Sequence, residues 1–441
     1  MTITILLIII YQLLQLIFFP CIALFILCIH FKRSVIGSFK ERFGFVPAAD
    51  RNKHVIWIHA VSVGEVLSVQ ELINFIKQSN PNTACYLTVG TLSGKQMAQR
   101  NITTDAISFL PYDFLPYMLM AYHRIKPKAL IVVEAELWPN LLGIGTLKKI
   151  PMFLLNARIN PRSHNRVIGL KALYRVLINC FTTIFAQSNH DRDIFQQIGI
   201  DPNKIKVLGN LKAFNVVMKK EHYADHATTQ PAHYTQNTVM LVGSMHPGED
   251  KIYLDLFVTL KKEFPKLKLI LAPRHFAWQQ ELETRVKKYQ LSFFTWDNKQ
   301  SLTMNPQESQ TQALERIFMH HDVILVCKLG ELFALHAYAD LYFLGGTFIP
   351  VGGHNLLEPA VWGIPTVIGP HYHNCKDIAD RLEAVNGIIK TATPAELLEQ
   401  TRYLLQHPKE RRVIGTTSYE WVVQESQTVT TTLHKLIEVL K

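Results

Sequence analysis

Between Ile3 and Phe31 the chain has no lysine, arginine, aspartate or glutamate, and most of the residues are isoleucine, leucine or phenylalanine. As a helix this stretch would reach roughly 40 Å, longer than the ~30 Å hydrocarbon core of a bilayer. It lacks the basic start and the short apolar region ending in small residues that mark a secretory signal. Lys32, Arg33, Lys40 and Arg42 follow at once, which assigns the body of the protein to the cytoplasmic side. Residues 1–31 are therefore expected to form an uncleaved membrane anchor. Pro20 either kinks one tilted span or splits the segment into two pieces within one leaflet.

Other absences narrow the function. The six cysteines (Cys21, Cys28, Cys85, Cys180, Cys327, Cys375) include no CxxC pair, which argues against a zinc site or a disulfide scaffold and fits a reducing compartment. Of the 19 histidines, no two have metal-ligand spacing beside a carboxylate, so no metal is implied. The net charge is +11, yet no Lys/Arg run of the kind found in a nucleic-acid arm occurs. An anionic membrane surface or a phosphorylated lipid is the partner this charge favours, and nucleic acid is not. No short internal repeat is evident.

With 441 residues, 48% of them hydrophobic, the chain can build two or three domains with proper cores. Short apolar runs alternate with polar, helix-permissive stretches: "HVIWIHA", "TACYLTVG", "AISFLPY", "ALIVVEAE", "MFLLNAR" and "TIFAQS". Periodicity is lost over 216–236 and then resumes with "VMLVGS", "LKLILAPR", "DVILVCK", "DLYFLGG" and "PTVIGP". This pattern predicts an α/β protein with two doubly wound, Rossmann-like domains, 32–215 and 237–415, joined by a linker at 216–236 and facing a cleft. An amphipathic helix is expected over 416–441.

Candidate site residues fall where strands end. In "WIHAVSVGEV" (57–66), Glu65 stands in the first turn of a helix directly after an apolar strand. It is either a helix cap or a carboxylate held ionised at the carboxyl edge of a sheet. "VVEAELWPN" ends a strand with Glu134 and Glu136, which share a side on extended backbone. "LLNARINPRS" supplies Asn156 and Arg158, and "GNLK" puts Lys212 just before the linker. In the second half, "FLGGTFIPVGGHNLLEPAVWGIPTVIGP" offers Gly345-Gly346 and Gly352-Gly353, whose amides can approach a phosphate closely. His354-Asn355 opens a helix suited to an anion, and Glu358 is placed to accept from ribose hydroxyls. "LAPRH" delivers Arg274 to a phosphate, "KLGEL" sets Gly330-Glu331 at another helix start, and "VGSMHPGED" is a further polar strand-end loop in which His246 reads as an ordinary loop residue.

Taken together, "HAVSVGE", "EAELWPN", "NARI", "GNLK", "APRH", "GEL" and "GGHNLLEPA" occur in the order and at the spacings of 3-deoxy-D-manno-octulosonic acid (Kdo) transferases, which the chain resembles over nearly its whole length. The resemblance implies a GT-B glycosyltransferase with CMP-Kdo as donor and a lipid A precursor as acceptor. It implies an inverting, metal-independent enzyme without a cofactor, on the cytoplasmic face of the inner membrane. Matched residue by residue, the family's general base falls on Glu65, and its transition-state stabilisers on Glu134 and Lys212. Its CMP contacts fall on Pro273, Arg274, Leu329, Gly330, Glu331, Asn355, Leu356, Leu357 and Glu358. Cys327 and Lys328 depart from the acid and threonine usual before the family's "MGEL", and "GNLKAFN" lacks the aspartate often found after the lysine. Two alternatives stay open: a GT-B enzyme using a UDP-sugar, and a non-catalytic protein that binds anionic glycolipids.

Overall fold

Each apolar run singled out in the sequence becomes a β-strand in the computed structural model, which describes residues 2–18, 20, 39–134, 136–159, 164–226, 237–298, 302 and 308–440. The strands in the first half are β1 (His54–Ala60), β2 (Thr83–Val89), β3 (Ala106–Phe109), β4 (Ala129–Val133), β5 (Met152–Ala157), β6 (Thr183–Ala186) and β7 (Ile205–Val207). Those in the second half are β8 (Thr238–Met245), β9 (Leu267–Pro273), β10 (Phe293–Trp296), β11 (Val323–Val326), β12 (Leu341–Leu344), β13 (Thr366–Ile368) and β14 (Ile388–Lys390). β2, β4 and β5 are buried along their whole length, as in a parallel sheet covered by helices on both faces.

Chain contacts divide the protein into one unit of Met1–Asn215 with Glu425–Lys441 and another of Val216–Gln424. The first holds a seven-stranded parallel sheet in the order β3-β2-β1-β4-β5-β6-β7. Strand order reverses between β1 and β4, which pair from Ile56 opposite Ala129 to His59 opposite Val132. The carboxyl ends of these two strands form the crevice where open α/β sheets bind ligands. Trp57, fully buried on β1, fixes the core beneath it. Its indole N–H donates to Thr88 Oγ1 at 2.9 Å, and its ring meets Tyr122 edge-on at 5.0 Å.

The second unit repeats the plan with the order β10-β11-β9-β8-β12-β13-β14, again all parallel. Its reversal lies between β8 and β12, paired from Leu341 opposite Met240 to Leu344 opposite Gly243. Tyr253, Phe257 and Phe343 are buried on one side of this sheet, and Leu314, Phe318 and Tyr342 on the other.

The helices that matter for function are α1 (Thr2–Ile17), α2 (Val63–Ser68), α3 (Pro139–Leu147), α4 (Leu211–His226), α5 (Leu357–Val361) and α6 (Pro408–Leu440). Three differ from expectation. The stretch expected as a linker begins inside α4, because "LKAFNVVMKK" carries no glycine or proline to stop the helix; residues 227–236 lie outside the described residues. The C-terminal helix starts at Pro408, earlier than 416, and gives residues to both units. Helix α1 ends at Ile17, two residues after Gln15 and three before Pro20. At about 24 Å it is shorter than a bilayer core, and residues 1, 19 and 21–31 of the expected anchor lie outside the described residues. Among the described residues no helix is long and apolar enough to cross a membrane.

Candidate active site

The first unit gathers acids at its crevice. Ser62 caps α2, its Oγ accepting from the Glu65 N–H at 3.3 Å. The Glu65 carboxylate turns back over the start of the helix. Oε2 accepts from the Val61 N–H and Oε1 from the Ser62 hydroxyl, both at 2.8 Å. Glu65 therefore caps, as its position alone implies, but it is also 8% exposed at the end of β1. The helix start alone does not set its proton affinity. Burial raises its carboxyl above the ordinary range, Glu134 adds to this, and the two hydrogen bonds only partly oppose it.

Glu134 follows β4 with φ at 61°, in the left-handed region, so it does not share extended backbone with Glu136. Its Oε2 accepts from Arg158 Nη2 at 3.2 Å, joining the ends of β4 and β5. Asn156, on β5, also has a left-handed φ, of 54°. Glu136 is raised too, by burial first and then by the charges of Glu65 and Glu134. Three acids thus share one crevice. Lys212 is exposed in the first turn of α4, its N–H donating to Asn210 Oδ1 at 3.0 Å. Asn215, three residues on and on the same helix face, donates to the Leu67 carbonyl at 2.8 Å, which sets this turn beside α2.

In the second unit the glycine-rich loop after β12 is not an open phosphate cradle. Gly345 N–H donates to the Gly243 carbonyl at 2.8 Å, and Gly352 and Gly353 N–H both donate to the Gly346 carbonyl, at 2.9 and 3.0 Å. The N–H of Gly346 donates to Glu249, as do those of Thr347 and Phe348, at 2.7, 3.0 and 3.0 Å. The glycines serve the loop's own shape. Gly352 has φ at 105°, and a Cβ there would lie 2.5 Å from His373 Nε2. Nor does a helix open at His354: α5 starts at Leu357, whose N–H is capped by Asn355 Oδ1 at 3.0 Å.

Side chains present the polar groups instead. Pro273 closes β9 opposite Met245, and the next residue, Arg274, is exposed with its N–H on the Met245 carbonyl at 2.8 Å. Beside it His246 Nε2 and His354 Nε2 lie 3.0 Å apart, and His275 meets His246 edge-on at 5.7 Å. At the end of β11, Leu329 is 86% exposed, Gly330 takes φ of 93°, and Glu331 pairs with Lys328 at 3.0 Å. Leu356 and Leu357 are buried, while the half-buried Glu358 reaches Lys219 at 3.5 Å. Among the described residues no three His, Cys, Asp or Glu side chains are grouped to hold a metal ion.

Residues 37–215 match the family model "3-Deoxy-D-manno-octulosonic-acid transferase (kdotransferase)". The chain is also 30% identical over 405 residues to a 3-deoxy-D-manno-octulosonic acid transferase of Haemophilus influenzae, covering 91% of this chain and 90% of that protein. It belongs to the Kdo transferase family. A second such transferase, from Chlamydophila psittaci, is 29% identical, covering 86% of this chain and 85% of its own. Among solved structures, a UDP-GlcNAc 2-epimerase of Neisseria meningitidis superposes with a TM-score of 0.57 at 13% identity, over 86% of this chain and 100% of that one. A glycosyltransferase of Rickettsia africae gives 0.50 at 12%, over 88% and 98%. These two likenesses concern the fold, a pair of Rossmann-like domains of GT-B type.

As a Kdo transferase the protein is a glycosyltransferase, and one feature of its second crevice was not legible in the motifs. Glu249, wholly buried, binds the loop after β8 to the loop after β12; an acid in "HPGED" carries no sign of that. Glu136, singled out with Glu134 in the sequence, joins the acids around Glu65. Lys328, which departs from the family pattern, neutralises Glu331. Cys327 is buried and its thiol is pushed up to about 12, so it is not a reactive group at neutral pH.

Proposed function

We propose that this Kdo transferase moves Kdo from CMP-Kdo to a lipid A precursor (lipid IVA), inverting the anomeric centre without a metal ion, with Glu65 as general base. The observation that carries the reading is the Glu65 carboxylate. It sits at the strand reversal of the first sheet, fixed by two hydrogen bonds and made more basic by burial. A base whose pKa is raised toward the working pH is a better proton acceptor. Glu134 and Glu136 beside it favour the state in which Glu65 has taken the acceptor's hydroxyl proton, because a neutral carboxyl repels neither of them. Glu134 and Lys212 act as transition-state stabilisers. On the donor side, Arg274 meets the phosphate, and Glu358 accepts from ribose hydroxyls. Pro273, Leu329, Gly330, Glu331, Asn355, Leu356 and Leu357 complete the CMP site.

The acceptor is a lipid, so the enzyme works at the cytoplasmic face of the inner membrane, held there by its N-terminal segment and by its excess positive charge. Helix α1 supports this. Gln15 is buried and donates to the Asp113 carbonyl at 2.8 Å, and Gln12 donates to Asn140 at the start of α3. Leu13, Leu16 and Ile17 face outward, 55%, 74% and 68% exposed. Polar residues inward and apolar residues outward is the reverse of a helix that faces water, and it suits a helix whose outer face lies in lipid.

The test is Glu65→Gln assayed with CMP-Kdo and tetraacylated lipid A precursor. Turnover should fall by about 10²–10⁴-fold, the usual contribution of general-base catalysis. Melting temperature should barely move, because Gln can still accept from Val61 and donate to Ser62. Wild-type transfer by the variant would leave Glu65 a cap and nothing more. Transfer by the wild type from UDP-sugars alone would refute the donor.

A further inference from the structure

The amides of Gly345 to Phe348 and of Val351 to Gly353 are engaged within the protein, so side chains of the surrounding loops are the groups best placed to meet a phosphate arriving at the second crevice. The loops that follow β8, β9 and β12 bring four cationic or proton-accepting side chains together: His246, Arg274, His275 and His354. His246 and His354 have ring planes 14° apart, centroids 5.4 Å apart and their Nε2 atoms 3.0 Å apart. At that separation one nitrogen must donate and the other accept, since two N–H groups would collide head-on. The pair can therefore be neutral or carry one positive charge, never two, and it titrates as a unit.

Resting on the CMP-Kdo reading above, we propose that His246 and His354 form a one-proton pair that binds the phosphate of the donor nucleotide and takes up one proton as the phosphate departs. Cleavage of the bond between the sugar's anomeric carbon and the phosphate oxygen sends the electron pair to that oxygen. The nucleotide thereby changes from a phosphodiester with one negative charge to a monoester with up to two. The proton taken by the pair comes from solvent and offsets the added charge; the acceptor's hydroxyl proton goes separately to the base. Arg274, His275 and Glu249, which face the pair, fit this cycle. In the free protein, burial first and then Arg274, His246 and His275 press His354 down to about 4, so the pair is neutral. His246 is lowered mainly by burial, with Glu249 opposing and His275 and Arg274 adding. A dianion placed among them reverses the sign of the local field and raises the pair's proton affinity. Glu249 holds the geometry, accepting from the His246 N–H at 3.1 Å while it binds the loop that carries His354. His246 and His354 thus belong to the donor site.

Calorimetry of the full chain with CMP at pH about 7, in two buffers of unequal ionisation heat, reads the linked proton directly. Wild type should take up about half a proton or more per CMP beyond what His354→Gln takes up. The change in the nucleotide's own protonation is common to both. His354→Gln should also bind CMP about 10–100-fold more weakly, while cytidine, without a phosphate, should bind both proteins alike and without proton uptake. Equal uptake by wild type and variant overturns the inference and leaves the donor reading standing. Failure of CMP to bind wild type overturns the donor reading, and the inference with it. If His354→Gln loses its melting transition, His246→Gln makes the same comparison.

Discussion

Replacing Glu249 by Gln should destabilise the second unit. The Glu249 side chain is 0% exposed, and each of its oxygens accepts two backbone N–H groups. Oε1 serves Thr347 and Phe348, both at 3.0 Å, and Oε2 serves Gly346 at 2.7 Å and His246 at 3.1 Å. In glutamine one oxygen becomes an NH2 group, which faces two N–H donors whichever way the amide is turned. In either orientation one abandoned N–H is fully buried and the other can reach water in part. A buried unsatisfied donor costs about 1–3 kcal/mol, so the substitution should cost about 2–4 kcal/mol. For a unit the size of Val216–Gln424 this is a fall of about 4–16 °C in its melting transition. Differential scanning calorimetry and urea unfolding followed by tryptophan fluorescence would measure it, with the urea slope unchanged if only stability is altered. CMP affinity should fall in the same variant, because the two loops that carry His246 and His354 are no longer pinned together. A Glu249→Gln protein melting within about 1 °C of wild type would refute the argument that this carboxylate organises the loop.

The acid limb of the rate–pH profile should lie above the ordinary carboxylate range, because burial and Glu134 raise Glu65, and Glu65→Gln should abolish that limb. The same shift fixes the sign for stability. A carboxyl raised on folding binds its proton more tightly in the native state, so its ionisation costs stability as pH rises from the unfolded value through the folded one. Glu65→Gln should therefore leave neutral-pH stability unchanged or slightly higher, as thermal melts at pH 5 and 8 would reveal. Lys328→Ala frees Glu331 from its partner at 3.0 Å and should tighten CMP binding by about two- to fivefold by calorimetry; an exposed pair is worth no more. Leu13→Glu with Ile17→Glu puts charge on the outward face of α1 and should release the protein from vesicles of anionic phospholipid in a flotation assay; undiminished flotation would remove α1 from the membrane contact.

Local pattern was sufficient wherever one segment carries its own signal. "HVIWIHA" and "LKLILAPR" are apolar runs because central parallel strands are covered on both faces, and they lie inside the two sheets as β1 and β9. β7 and β14 carry no such run, since each is an edge strand three residues long, only part-buried and holding a lysine. Motif order likewise identified the family and put Glu65, Glu134 and Arg274 at strand ends. What the motifs imply for the chemistry of those groups depended on neighbours distant in sequence. The position of Glu65 at a helix start argues for an ionised cap, but burial at the β1–β4 reversal and the charge of Glu134 decide its basicity. The glycines argue for free amides, but Glu249, some 97 residues earlier, claims three of the loop's N–H groups. His246 reads as an ordinary loop residue and His354 as part of a helix start, 108 residues apart, until β8 and β12 pair and bring their Nε2 atoms to 3.0 Å. A sequence specifies secondary structure and site chemistry through side-chain type and spacing, whereas burial, charge proximity and hydrogen-bond competition are sums over tertiary neighbours, and only the folded sheets determine which groups those are.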